Sequence, residues 1–231
     1  MHCAVYITNM AERRGTAISI PPDPDLSFEV QLWQSGAQRI AGIDEAGRGA
    51  LAGPVAAAAV IFLPEPALSH KLEGVRDSKQ MTPNDRSAWA QRLPGIALDW
   101  AVGFAEADEI DALGIVPATR LAIRRALSQL STQPDHLLVD FLKLPDENIP
   151  QTSLIKGDAR SLSIAAASIL AKTSRDGLCS DLEMKYPGYG FARHKGYGTR
   201  FHLNALARLG PSPAHRRSFK PLITSLIAAR S

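Results

Sequence analysis

Apolar and polar positions along the chain change period several times, and each change marks an element. Arg39–Asp44 reads as a strand, and Gly53–Leu63, apolar without a break from Val55, reads as a second. A glycine-rich turn separates them, which predicts an antiparallel pair. Trp100–Glu106 is a candidate third strand. His136–Phe141, flanked by Pro134 and Pro145, is a buried fourth, and Ser153–Lys156 is a short fifth. Helical spacing fills the intervals. A short helix is expected over Leu26–Ser35, and Pro83 stands where a helix over Asn84–Leu93 would start. Ala107–Leu113 reads as a short helix, and Pro117–Ser131 as a longer one with apolar Leu121, Ile123, Ala126, Leu127 and Leu130. Ser161–Met184 is apolar on most sides near its start, so a long buried helix is predicted there. Gly188, Gly190, Gly196 and Gly198 predict a loop, and Arg200–Leu209 a last helix stopped by Gly210-Pro211. Strands come first and then alternate with helices, which gives an α/β fold, a mixed five-stranded sheet flanked by helices.

Length and composition set the limits. A chain of 231 residues, 45% apolar and 21% charged, suits one domain with a sizeable core. The expected organisation is an N-terminal extension over 1–25, a domain over 26–184 and a basic helical C-terminal segment over 185–231 packed on it. The longest apolar stretch, Val55 to Leu63, has nine residues, whereas a membrane helix needs about 20, so no membrane partner is expected. Met1–Pro24 lacks the pattern of a secretory signal. Cys3 and Cys179 are the only cysteines. Two thiols form no disulfide framework and no cysteine-based zinc site, which fits a reducing, cytoplasmic setting. A monomer is the default. The net charge of +3 conceals an asymmetry: residues 185–231 hold nine Lys/Arg and no Asp or Glu, and the rest of the chain carries 17 basic against 23 acidic side chains. An acidic body with a basic tail predicts a polyanion bound beside a carboxylate site; a merely solvated basic surface is the plain alternative.

The most informative stretch is Gly42-Ile43-Asp44-Glu45-Ala46-Gly47-Arg48-Gly49-Ala50-Leu51-Ala52-Gly53-Pro54. Its glycines imitate a dinucleotide fingerprint, but two carboxylates directly before a pyrophosphate cradle would repel the ligand. Pro54 and the strand-like run after it also fail to open the required helix. Carboxylates and carbonyls suit Mg²⁺ or Mn²⁺ instead. Adjacent residues of a regular strand point to opposite faces, so Asp44 and Glu45 share a site only if Glu45 reaches it through a distorted turn or its backbone carbonyl. Arg48 offers a fork for phosphate.

Two further carboxylates strengthen the case. Asp140 closes the apolar run Leu137-Leu138-Val139 and falls at a strand's C-terminal end, where sites of α/β sheets collect. Asp158 follows Lys156-Gly157 and precedes the long helix, where an N-cap is the plain reading. Asp176 lies 18 residues further on, about 27 Å along a continuous helix, so it cannot serve metals about 4 Å apart together with Asp158. Asp158 is the better choice. Four converging carboxylates and a basic tail fit two-metal hydrolysis of a phosphodiester. The six histidines show no zinc-binding spacing. Ser168, inside an alanine-rich helix, is expected to bond back to that helix rather than act as a nucleophile.

Ala41 through Gly49 with Leu51-Ala52-Gly53-Pro54-Val55 resembles the signature of ribonuclease HII. So do Asp77-Ser78-Lys79, Leu138-Val139-Asp140, Lys156-Gly157-Asp158, Ile164 through Lys172 with Arg175-Asp176, His194 through Thr199, and Gly210-Pro211-Ser212-Pro213 with His215-Arg216. The likeness runs in order over about residues 27–220. It implies a ribonuclease H-like fold and endonucleolytic cleavage of RNA in RNA/DNA hybrids. It also implies incision at single ribonucleotides in duplex DNA, leaving a 3′-hydroxyl and a 5′-phosphate, with Mn²⁺ or Mg²⁺ as cofactor and two ions in the substrate complex. The family's four acidic positions fall on Asp44, Glu45, Asp140 and Asp158, which would be both catalytic residues and metal ligands. Its substrate reader falls on Gly47, Arg48 and Gly49, its ring-stacking tyrosine on Tyr197, and Lys79 is placed to meet a phosphate. Only the 2′-hydroxyl separates the two sugars, and backbone groups exposed by glycines can reach it. The chain departs from the pattern at Ala50, where proline is expected, and at Phe141, where glycine is expected. Phe141 therefore puts the backbone shape after Asp140 in question. A related nuclease of the same fold acting on DNA, as in integrases, is the alternative, and a catalytically silent nucleic-acid binder a more distant one.

Overall fold

The computed structural model describes residues 20–222. Most of the expected 1–25 extension and the last nine residues lie outside them.

Five strands form one sheet: β1 (Ile40–Ala46), β2 (Val55–Phe62), β3 (Asp99–Ala105), β4 (His136–Asp140) and β5 (Gln151–Leu154). Their order is β3-β2-β1-β4-β5. The first three pair antiparallel, with Ile40 opposite Phe62 and Ala46 opposite Ala56, while β1, β4 and β5 run parallel. The C-terminal ends of β1, β4 and β5 therefore lie side by side. Every residue of β2 is buried, as expected of a strand covered on both faces.

The helices are α1 (Ser27–Gln34), α2 (Leu68–Lys71), α3 (Pro83–Arg92), α4 (Ala107–Leu113), α5 (Ile115–Gln129), α6 (Leu162–Lys185), α7 (Phe191–His194) and α8 (Arg200–Leu209). Strand alternation divides the core. Ala41, Ile43, Val55, Ala57, Ala59 and Ile61 pack with α5 residues such as Ala122, Ile123 and Ala126. Ala46, Ala58, Val60 and Phe62 pack with Ala165, Ala166 and Ile169 of α6 and with Trp89 of α3. Two glycines let helices sit directly on the sheet. A Cβ on Gly42 would meet the Ser163 backbone of α6 at 2.3 Å, and one on Gly103 the Ala122 carbonyl of α5 at 2.2 Å. The buried carboxylate of Glu29 on α1 accepts from Ser161 Oγ (2.6 Å) and Ser163 N (2.9 Å), which docks α1 on the start of α6; burial pushes its pKa up.

Most expected elements are present with shifted ends. Thr82, whose side chain accepts from Asp85 N, caps α3, and Pro83 is its first residue. Pro117 falls within the first turn of α5, where a missing N–H costs nothing. One expectation fails outright: Phe191–His194 is not loop but the one-turn helix α7. Gly190 and Lys195, both left-handed, open and close it, and the buried Phe191 ring stacks on Tyr189 with centroids 5.1 Å apart.

Candidate active site

The site is built on the parallel strand ends. In the β1–β4 register Ile43 lies opposite Val139, so the next residues, Asp44 and Asp140, are lateral neighbours. Both fall on the face covered by α6, the face of Gly42 and Leu138. Asp158 reaches the same place from a single 3₁₀ turn, Gly157–Ala159, just before α6. It is not the N-cap of that helix: Ser161 is, accepting from Ile164 N at 3.3 Å. Carboxylate oxygens of Asp44, Asp140 and Asp158 all lie within 4.8 Å of one another. Asp176 is elsewhere, paired with Lys172.

Crowding and burial set the charge state of the cluster. Asp44, 4% exposed, has its pKa raised well above the carboxylate range by burial, then by Glu45, Asp140 and Asp158. Asp140 is pushed up to about 6 by burial, opposed by the hydrogen bond it accepts from Gly157 N at 2.6 Å. Asp44 and Asp140 resist ionisation alone, and the three carboxylates together offer hard oxygen ligands that suit a divalent cation, which relieves their repulsion.

Glu45 stands next to this triad rather than in it. β1 keeps its register through Ala46 opposite Ala56, so of the two routes open to Glu45 the distorted turn is absent and the backbone carbonyl remains; the chain turns only at Gly47, at φ 91°. Glu45 Oε1 accepts from Arg48 Nη1 at 3.0 Å. Its buried Oε2 has no partner, which leaves a free oxygen next to the cluster. Burial raises its pKa and Arg48 opposes the rise. Lys79 is also found at the carboxylates, with Nζ 2.9 Å from Asp158 Oδ2 and a side chain that is 73% exposed. Burial works against its charge, but Asp158, then Asp77, outweighs it and raises its pKa. The segment carrying Lys79 is tied to α6 through Ser168 Oγ, which donates to Ser78 Oγ at 2.6 Å. That corrects the expectation that Ser168 bonds back into its own helix.

Gly47–Gly49 forms the wall beside β2. Gly49 is exposed and a Cβ there would meet nothing within 4 Å. Tyr197, 39% exposed, joins this wall because Leu51 N donates to Gly196 O at 2.8 Å. A Cβ on Gly196 would strike the Ala52 carbonyl at 2.2 Å, so only glycine permits that approach.

Two buried arginines that the sequence marks only as motif positions, with no role, hold the wall. Arg175 on α6 donates to Pro54 O (2.8 Å), Lys195 O (2.9 Å) and Ala52 O (3.1 Å), and its Cζ lies 5.6 Å from the Tyr197 ring centroid. Arg216 donates to Gly53 O and Arg48 O, both at 2.9 Å. Each is 0% exposed. Among the described residues neither forms an ion pair with a carboxylate. The available signal was their place in the Arg175-Asp176 and His215-Arg216 motifs.

Known proteins share this fold. A family model described as Ribonuclease HII matches residues 41–222. A ribonuclease HII from Synechococcus sp. (strain JA-3-3Ab) is 54% identical over 199 residues, covering 86% of this chain and 89% of the relative. Among solved structures, ribonuclease H2 from Pyrococcus horikoshii OT3 superposes with a TM-score of 0.69 at 26% identity, over 84% of this chain and 99% of that one. RNase HII from Archaeoglobus fulgidus, solved as a complex with PCNA, gives 0.66 at 27% identity, over 79% and 95%.

Proposed function

The chain belongs to the ribonuclease HII family of metal-dependent endonucleases acting on RNA/DNA hybrids, and from that premise we propose that it also incises duplex DNA on the 5′ side of a single embedded ribonucleotide, leaving a 3′-hydroxyl and a 5′-phosphate. The observation that carries the reading is the approach of Asp44, Asp140 and Asp158 within 4.8 Å, beside an exposed Gly49 with nothing within 4 Å of its Cβ position.

The donor set fits hard divalent cations. Asp44, Asp140 and Asp158 would hold them, and the unpartnered Oε2 of Glu45 is the fourth oxygen. Two bound Mn²⁺ or Mg²⁺ ions would supply an activated water and stabilise the departing 3′-oxygen. The rest falls to the chain's own residues. Gly47 and Gly49 let the backbone approach the 2′-hydroxyl that marks a ribose. Arg48 screens Glu45 at rest and has the planar fork that suits a phosphate. Tyr197 offers a ring to the sugar that follows the ribonucleotide. Lys79, on a long exposed stem, can turn from Asp158 to a phosphate. The basic segment from residue 185 onward, joined to the wall through Gly53 N–Ala214 O and Arg216 N–Leu51 O, holds the duplex backbone. The working form is a monomer in a reducing, cytoplasmic compartment, where such incision opens the repair of ribonucleotides in DNA.

The test is a cleavage map on duplex DNA carrying one ribonucleotide, with Mn²⁺, Mg²⁺ or EDTA. One cut 5′ of the ribonucleotide, lost in EDTA and in Asp140→Asn, is expected. Equal cleavage of an all-DNA duplex would defeat the reading.

A further inference from the structure

Three residues other than glycine adopt positive φ among the described residues: Phe141 (55°), Lys156 (54°) and Lys195 (54°). Each adjoins the candidate site. Phe141 follows Asp140, Lys156 comes two residues before Asp158, and Lys195 two before Tyr197. Lys195 has an evident duty, because its carbonyl accepts from Arg175. Phe141 has none of this kind. Leu142 N donates to Asp140 O at 2.5 Å across it, a tight γ-turn that is strained for any side chain and that glycine would take more easily. The ring adds nothing to the core either, since Phe141 is 62% exposed. A bulky residue that strains its own turn and leaves its ring in solvent next to a carboxylate cluster calls for a ligand.

The sheet order says which part of the ligand lies there. Across the strand ends come the Gly47–Gly49 wall, then Asp44 on β1, Asp140 at the end of β4 with Phe141 just after it, and Ile155 and Lys156 after β5. Phe141 N donates to Leu154 O at 2.9 Å, so Phe141 and Ile155, which is 43% exposed, are adjacent, with exposed Lys156 behind them. In the reading above, the wall and Tyr197 hold the ribonucleotide and the nucleotide after it, and the bond is cut over the triad. The strand then leaves the triad in the 5′ direction across the ends of β4 and β5. We propose that the Phe141 ring packs on the sugar of the nucleotide immediately 5′ of the scissile phosphate and favours deoxyribose there, with Ile155 extending the apolar surface and Lys156 meeting a phosphate. A ribose at that position would bury its 2′-hydroxyl against a ring that offers it no partner, and such burial is costly. Phe141 would thus separate isolated ribonucleotides from continuous RNA.

This inference rests on the proposed function, and one substrate pair tests the two separately. The first duplex has a single ribonucleotide; the second has an additional ribonucleotide on its 5′ side. Wild type should show a kcat/KM roughly tenfold higher on the first for the cut 5′ of the 3′-most ribonucleotide. Phe141→Gly should reduce that ratio to about one while melting no lower than wild type, since glycine suits the turn. Phe141→Trp, which keeps an apolar ring, should retain the ratio. Wild type cutting both duplexes equally well at that bond, or Phe141→Gly keeping the ratio, overturns the inference and leaves the proposed function intact. Failure of wild type to cut 5′ of the ribonucleotide in the first duplex overturns both.

Discussion

Replacing Arg175 with methionine tests whether the substrate wall is held from beneath. The guanidinium is fully buried and satisfies three carbonyls, those of Ala52, Pro54 and Lys195. Methionine has similar length, no charge and no donor, so all three carbonyls lose their partner at once. A buried polar group left unpaired costs about 1–3 kcal/mol. Removing the uncompensated charge gives some of this back, because burying a guanidinium is itself unfavourable. The net loss should be about 3–5 kcal/mol. With a urea slope of about 2 kcal/mol per molar for a chain of this size, the unfolding midpoint read by tryptophan fluorescence should fall by about 2 M. Arg175→Lys should recover only part of the loss, since one ammonium cannot span three carbonyls as a planar fork does. Both variants should cut a single-ribonucleotide duplex more slowly than their folded fraction explains, because Arg175 bonds both the wall, at Ala52 and Pro54, and the Tyr197 loop, at Lys195. A midpoint shift below about 0.5 M for Arg175→Met would refute the reasoning.

Three further outcomes follow from the geometry. Gly42→Ala places a methyl 2.3 Å from the Ser163 backbone and should destabilise by about 3 kcal/mol or prevent folding, whereas Gly49→Ala meets nothing within 4 Å and should melt like wild type yet lose ribonucleotide cleavage; unchanged cleavage would remove Gly49 from substrate reading. Tyr197→Ala should weaken the preference for an embedded ribonucleotide more than duplex affinity, measured by kcat/KM ratios against binding anisotropy, and equal losses would contradict the ring's role. Burial, then His202, pushes His215 down to about 4, below its value of about 6.5 when unfolded. Its stabilising contribution is therefore complete above pH 6.5 and lost as pH falls toward 4, of the order of 2–3 kcal/mol in all. The stability gap between wild type and His215→Gln, from urea unfolding, should shrink between pH 7.5 and 4.5, and a constant gap would contradict this.

The sheet was legible because its strands announce themselves by period. The unbroken run from Val55 is a strand buried on both faces, and Asp44 and Asp140 terminate apolar runs that then pair in parallel. That Asp158 and Asp176 could not both serve the site needed only the length of a helix. What the sequence hid was partnership at long range. Ser168 bonds Ser78, 90 residues away, and no local rule names that partner. Arg175 and Arg216 gave no sign that their ligands would be carbonyls of the Arg48–Pro54 segment, because backbone acceptors carry no sequence signature. Alternation alone could not say where β1 stops being regular; that is decided at Gly47 by the space Arg175 leaves, since a Cβ on Gly47 would lie 1.9 Å from Arg175 Nε. α7 was missed because its flanking glycines signal a break, while the buried Phe191 ring favours the turn.

Lys79 gives the acidic cluster a counter-ion on a tether. Small metal proteins whose ligands repel one another often fold only once loaded. Here an ammonium 2.9 Å from Asp158 already offsets part of that repulsion, and its exposed stem lets it swing away without disturbing the interior. The polypeptide can therefore assemble first and load afterwards. A cation arriving at the strand ends exchanges places with a charge of the same sign, so occupancy of the site is a swap of guests rather than a condition for the house to stand.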